Sequence, residues 1–147
     1  MGNSNPVLLA EDNQEDIFLI RRAFGDNGIE NPLHVVSNGE DAIHYLAGEG
    51  RFSDRASFPF PALFLLDLKM PVKNGLEVLR WINQHQEISR RLPIVVLSSV
   101  ELPEETQAAY AMDIQSCILK PMDYSELRER IRILKEYWLD HDDAPRR

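Results

Sequence analysis

The sequence predicts a doubly wound α/β fold, with five βα units built on one five-stranded parallel sheet. Three observations predict it. Short apolar runs alternate five times with amphipathic stretches. The run Ala62-Leu63-Phe64-Leu65-Leu66 is continuously apolar rather than alternating, as a strand covered on both faces is. Charged residues close three of them, at the edge where open α/β sheets bind ligands.

The strand candidates are Val7–Ala10, Leu33–Val36, 62–66, 94–97 and 117–119. In the first helix Ile17, Ile20 and Phe24 share one face while Arg21 and Arg22 face water, and Asn27-Gly28 signals its end. The second helix starts after Asn38-Gly39 and carries Ala42, Ile43 and Leu46 inward. Gly75 precedes the third, where Val78, Leu79 and Ile82 recur at helical spacing. The fourth runs over 103–112, with proline in its first turn. Asp123 or Ser125 caps the fifth, whose stripe is Leu127, Ile131 and Leu134. The longest irregular connection, 48–61, holds Phe52, Phe58 and Phe60 and is expected to pack down. One domain over 6–139 with a polar tail at 140–147 follows.

Bulk properties narrow the function. A length of 147 residues with 44% hydrophobic content supports one domain with a real core. A net charge of -8 argues against nonspecific nucleic-acid binding. The single cysteine, Cys117, excludes an intrachain disulfide and a cysteine-rich zinc site. The N-terminus lacks a basic segment followed by an apolar one, Pro6 stands where a myristoylation motif wants Ser or Thr, and no apolar stretch approaches a membrane span. A cytoplasmic protein is expected.

The chemistry concentrates at the strand ends. Glu11-Asp12 closes the first apolar run, Asp67 the third and Lys120-Pro121 the fifth. Crowded carboxylates repel unless a cation compensates, and carboxylate oxygens with a backbone carbonyl, here that of Lys69, suit Mg²⁺. Taken alone, Glu11-Asp12 would read as a helix cap. That reading leaves Asp67 unexplained, and the three acids together favour a cation site. Lys120 ends a buried strand and needs an anion; Asp67, or a phosphoryl oxygen, supplies one. Lys-Pro by itself is weak evidence, although Pro121 would permit a cis peptide that aims the ammonium inward. Ser98 follows 94–97 and offers a hydroxyl to a phosphoryl oxygen, against the plainer reading of a turn serine. The loop between Asp67 and Gly75 must turn sharply, which suits Pro71 and Gly75.

Together the pair Glu11-Asp12, the segment Leu65-Leu66-Asp67-Leu68-Lys69-Met70-Pro71 with Gly75, the strand ending at Ser98, and Lys120-Pro121 resemble the receiver domain of two-component response regulators. The resemblance spans nearly the whole chain and implies a flavodoxin-like (βα)5 fold. It implies that Asp67 accepts a phosphoryl group from a histidine kinase. Asp12, Asp67 and the Lys69 carbonyl would hold Mg²⁺, with Glu11 assisting, and Lys120 and Ser98 would contact the phosphoryl group. Such a domain catalyses only its own phosphorylation and dephosphorylation. The resemblance places control of phosphate lifetime at Lys69 and Val100, and the apolar Val100 predicts slow self-dephosphorylation. Receivers usually carry an aromatic residue three positions before the lysine; here it is Cys117, read as a small core residue.

No helix-turn-helix follows the fifth helix. The Glu-Asp-Asn start, the long 48–61 connection and the pair Tyr137-Trp138 are similar to single-domain regulators paired with bacterial and cyanobacterial phytochrome kinases. Members of that group dimerise through the fourth helix, fifth strand and fifth helix. Tyr137 and Trp138 would extend such an interface or close the core, and the same alternatives hold for Trp81.

Other functions fit less well. A haloacid-dehalogenase-like phosphatase wants a second aspartate where Lys69 stands. A nucleoside-triphosphatase needs a Gly-rich loop ending in Gly-Lys-Ser/Thr, which the sequence lacks. A flavin phosphate would be repelled by the acids after the first strand. The strongest rival is a pseudo-receiver, an interaction module that never takes phosphate; phosphate uptake that requires Asp67 separates the two.

Overall fold

The computed structural model describes residues 4–98, 116–119 and 123–140. The helix expected over 103–112, Val100, Lys120, Pro121 and most of the polar tail lie outside the described residues. Five parallel strands form one sheet in the order β2-β1-β3-β4-β5: β1 Val7–Ala10, β2 Leu33–Val36, β3 Leu63–Asp67, β4 Ile94–Ser98 and β5 Ser116–Leu119. In this order the chain reverses its direction of progress between β1 and β3, so a crevice opens at their carboxyl ends. The third strand starts one residue later than 62–66 and ends one later, because Asp67 itself pairs with Leu97 of β4. The acid is thus part of the ladder, not merely a neighbour of it.

Alternate residues of the central strands feed two cores. Leu8, Ala10, Phe64, Leu66, Ile94 and Val96 pack under α2 (Gly39–Ala47), α3 (Gly75–Asn83) and a one-turn α4 (Gln86–Ser89). Val7, Leu9, Leu63, Leu65, Val95 and Leu97 pack under α1 (Gln14–Asp26) and α5 (Tyr124–Leu134). Period-two burial on both faces accounts for the unbroken apolar runs.

Most residues of the expected helical stripes are buried, while Ile43 and Leu127 are half-buried against the cores. Ile17, Ile20 and Phe24 of α1 are buried, as are Val78, Leu79 and Ile82 of α3 and Ile131 and Leu134 of α5. Asn27 ends α1, and its side-chain amide donates to the Arg128 carbonyl at 3.0 Å, tying α1 to α5. Asp123, not Ser125, caps α5 by accepting from the Glu126 N–H at 2.8 Å. Beyond α5 the chain widens into a π-type turn over Lys135–Leu139, where the Asp140 N–H reaches the Lys135 carbonyl. That extra residue per turn lets the neighbours Trp138 and Leu139 both face the core. Trp138 is therefore buried, whereas Tyr137 is 54% exposed. Trp81 is half-buried, with the His85 ring stacked on it at 4.1 Å.

The 48–61 connection does pack down. Phe52 is buried, and Phe58 and Phe60 lie against the core. Phe52 and Phe58 meet Tyr45 of α2, which is fully buried and also in ring contact with His34. The Tyr45 hydroxyl donates to the Pro59 carbonyl at 3.1 Å and lies 2.7 Å from His34 Nδ1. Arg55 closes the connection by donating to the carbonyls of Tyr45, Leu46 and Phe58. No described helix is long and apolar enough to cross a membrane.

Candidate functional site

Two strand-to-helix connections build the site. Glu11 and Asp12 leave β1 at the level where Ala10 pairs with Val36 on one side and Leu66 on the other. The Glu11 N–H donates to the Val36 carbonyl at 2.9 Å, so the ladder still governs the first residue past β1. Neither acid caps α1. Asn13 does, its side chain accepting from the Asp16 N–H at 2.9 Å. The Glu11 carboxylate instead accepts from the Asn13 N–H at 3.2 Å and is fully buried. The plain helix-cap reading of the acidic pair therefore fails: the cap exists and uses the next residue.

Asp67 is 4% exposed, and its carboxylate accepts from the Lys69 N–H at 3.2 Å. After it the chain loops through Leu68 to Asn74 and returns: the Gly75 N–H donates to the Leu68 carbonyl at 2.9 Å. Gly75 is required here for space. A Cβ at this position would lie 2.6 Å from the Leu68 Cα and 2.7 Å from the Asp67 carbonyl oxygen. Asn74 then starts α3 with a capping box, accepting from the Glu77 N–H while the Glu77 carboxylate accepts from the Asn74 N–H. A second helix braces the loop: the Gly39 N–H, at the start of α2, donates to the Lys73 carbonyl at 2.9 Å. Inside the braced loop Val72 adopts φ 66°, a left-handed conformation that costs an L residue on the order of 1–2 kcal/mol.

These supports bring three of the expected residues together. One carboxylate oxygen each from Glu11, Asp12 and Asp67 lies within 4.8 Å of the others. Glu11 and Asp67 are buried and Asp12 is exposed, so the cluster opens to solvent on one side. Three hard oxygen donors at this spacing fit a divalent cation, which removes their mutual repulsion. Lys69 follows along the loop, already engaged with Asp67 through its N–H. Ser98 is the last residue of β4, one step beyond the Asp67↔Leu97 pair and in register with Leu119 of β5. Lys120, next in sequence after β5, lies outside the described residues.

The sequence reading found Gly75 but missed the other supports. Asn74-Gly75-Leu76-Glu77 carries the capping-box spacing and was legible as such. The Gly39–Lys73 bond and the left-handed Val72 have no local signal, since both arise from how α2 meets the β3–α3 loop.

Comparison with known proteins agrees with this geometry. The response regulator receiver domain family matches residues 7–132. The response regulator Rcp1 of Synechocystis is 29% identical over 97% of this chain and 96% of its own length. A response regulator of red light signalling in R. palustris is 33% identical, with a TM-score of 0.86 over 96% of this chain and 98% of its own. The phosphorylated cyanobacterial phytochrome response regulator RcpA is 30% identical, with a TM-score of 0.83 over 95% of this chain and 100% of its own. With most of the chain inside the family match, the sheet order putting its crevice at β1 and β3, and the acids gathered there, this chain belongs to the response regulator receiver domain family.

Proposed function

We propose that this chain is a single-domain phosphoacceptor of a two-component relay, with Asp67 as the acceptor. The observation that carries this is the meeting of Glu11, Asp12 and Asp67 at the β1–β3 crevice. The Asp67 carboxylate attacks the phosphorus of a phosphohistidine on a sensor kinase. The P–N bond breaks, the imidazole leaves with the electron pair and takes up a proton, and Asp67 becomes an acyl phosphate. Water later cleaves the acyl phosphate to inorganic phosphate and restores the carboxylate. Rate here comes from positioning and charge stabilisation. The β3 ladder and the Lys69 N–H fix the attacking carboxylate, and its near-complete burial limits competing water. Asp12, Asp67 and the Lys69 carbonyl, with Glu11 assisting, would hold Mg²⁺, whose charge would offset that of the transferring oxygens. A Mn²⁺-bound form of the related Rcp1 supports a divalent cation in this family. Lys120 and Ser98 are assigned to the phosphoryl oxygens.

The relatives favour a bacteriophytochrome as the kinase class. The receiver occupies 6–139, with 140–147 as a tail. A homodimer through 103–112, β5 and α5 is consistent with the exposure of Ile133 and Tyr137 on the last helix and turn. The apolar Val100 favours a long-lived phosphate, and Val100→Glu is expected to shorten its lifetime.

Intact mass after incubation with acetyl phosphate tests the acceptor role. One added phosphoryl group is expected, dependent on Mg²⁺ and absent from Asp67→Ala. Addition that persists in Asp67→Ala would move the acceptor elsewhere. No addition from acetyl phosphate or from any histidine kinase would make this a pseudo-receiver.

A further inference from the structure

Gly39 opens α2, yet its backbone does not ask for a glycine. Unlike Gly28, Gly48 and Gly50, it does not have positive φ. Inside a helix glycine is also a poor former. Space explains the residue. A Cβ here would lie 2.1 Å from the Lys73 carbonyl oxygen and 2.8 Å from the Lys73 Cβ. Through that gap the Gly39 N–H, one of the donors that a helix start leaves unpaired, reaches the Lys73 carbonyl at 2.9 Å. Among the described residues this is the one hydrogen bond that reaches 70–73.

The two sides of this contact differ in how easily they move. α2 is pinned: Ala42, Tyr45 and Leu46 are buried, the Tyr45 hydroxyl bonds to Pro59, and Arg55 donates to the carbonyls of Tyr45 and Leu46 at the far end. The loop is the softer side. Val72, next to Lys73, is left-handed and 70% exposed, a conformation that persists only where the surroundings enforce it. We propose that Gly39 is a positioning residue for the cation site. By letting α2 touch the loop backbone, it holds the loop that carries the Lys69 carbonyl beside the three carboxylates, and so raises affinity for Mg²⁺. A side chain at 39 pushes Lys73 away, Val72 relaxes toward solvent, and Lys69 in the same closed loop loses its fixed place. The acids themselves are placed by β1 and β3, so transfer at saturating cation does not depend on Gly39. The inference rests on the cation site proposed above and adds to it a residue outside the acidic cluster.

Two measurements test it. Linkage is reciprocal: if the brace raises cation affinity, the cation must tighten the brace by the same factor. In wild type, saturating Mg²⁺ should therefore slow amide exchange at Gly39 about fivefold more than at Gly48, whose N–H bonds to the Tyr45 carbonyl at the opposite end of α2. In Gly39→Ala, Mg²⁺ affinity by calorimetry should fall at least about fivefold. Its rate of phosphate uptake from acetyl phosphate at saturating Mg²⁺ should stay within about twofold of wild type. Ala42→Gly, which weakens the same helix without adding an atom against Lys73, should keep wild-type affinity. Both variants are measured where circular dichroism shows them folded. Equal slowing at Gly39 and Gly48 would overturn the proposal, even if Gly39→Ala did not fold. So would unchanged affinity in Gly39→Ala, or an equal fall in Ala42→Gly. A fall in the saturated rate with affinity intact would overturn it by placing Gly39 in the transfer step. Wild type that binds neither Mg²⁺ nor Mn²⁺ would remove the cation site, and this inference with it.

Discussion

The connection from β1 to α1 is three residues, Glu11-Asp12-Asn13, while that from β3 to α3 takes seven, Leu68 through Asn74. Both end in an asparagine cap, and both deliver carboxylates to one crevice. The short turn needs no glycine and adopts no left-handed residue, because strand and cap adjoin. The long loop needs a glycine against the strand backbone, a brace from α2 and a strained valine. The difference teaches where precision comes from. Two acids that follow a strand directly inherit its geometry. An acid followed by a loop that must close back on its own strand before the next helix starts is held by tertiary contacts.

The largest expected effect lies in the long loop. Gly75→Ala puts a methyl against backbone that cannot move without shifting Asp67, and should destabilise by roughly 2–4 kcal/mol in urea titration. Ala23→Gly in α1 serves as a control for general helix damage. If Gly75→Ala were no worse than a surface change, the loop would be more plastic than its closed hydrogen bond implies. Next comes the short turn. Asp12→Asn removes one charge from the acidic cluster and should weaken Mg²⁺ or Mn²⁺ affinity by at least about tenfold, read by calorimetry. Stability without cation should hold or rise, because one of three mutually repelling charges is gone. A loss of stability with unchanged affinity would assign Asp12 a structural role. Smaller still are the caps. Asn13→Ala and Asn74→Ala should each cost about 1 kcal/mol, the second more, since Asn74 is half-buried and shares a reciprocal box with Glu77. Equal costs would mean the box adds nothing to a single cap.

The same contrast explains what the sequence revealed. Burial on both faces leaves β1 an unbroken apolar run, readable to the residue; the half-buried edge strand β2 was readable too, despite His34, and Glu11, Asp12 and Asp67 could be placed at one edge. Stripes at helical spacing identified the buried faces of α1, α3 and α5. Tyr45 was missed because a tyrosine beside Ile43 and Leu46 does not announce whether its hydroxyl finds a buried partner. That partner, the Pro59 carbonyl, comes from an irregular connection with no periodicity. α4 was missed because one helical turn is too short to show a stripe. Val72 was missed for the opposite reason: valine ordinarily marks extended chain, and tertiary bracing overrode that preference.

Tyr45 gives a last way to separate the two connections, through pH. Burial pushes its phenol up from 10.0 to about 12, with the Arg55 guanidinium pulling weakly the other way. The folded state thus holds this proton more tightly than the unfolded chain. The associated stability is complete below pH 10 and declines as pH rises from 10 toward about 12. The loss should stay below about 1 kcal/mol up to pH 10.5 and vanish in Tyr45→Phe, which itself costs roughly 1–2 kcal/mol at neutral pH through the lost bond to Pro59. Tyr45 anchors the helix whose first residue braces Lys73, so the alkaline loosening should be directional. Amide exchange between pH 9.5 and 10.5, corrected for its intrinsic pH dependence, should accelerate at Gly39 and Gly75 before it does at Ile17, which hydrogen-bonds to Asn13 in the short turn. Uniform acceleration would show that both connections open only with the whole domain, and that the α2 brace does not act locally.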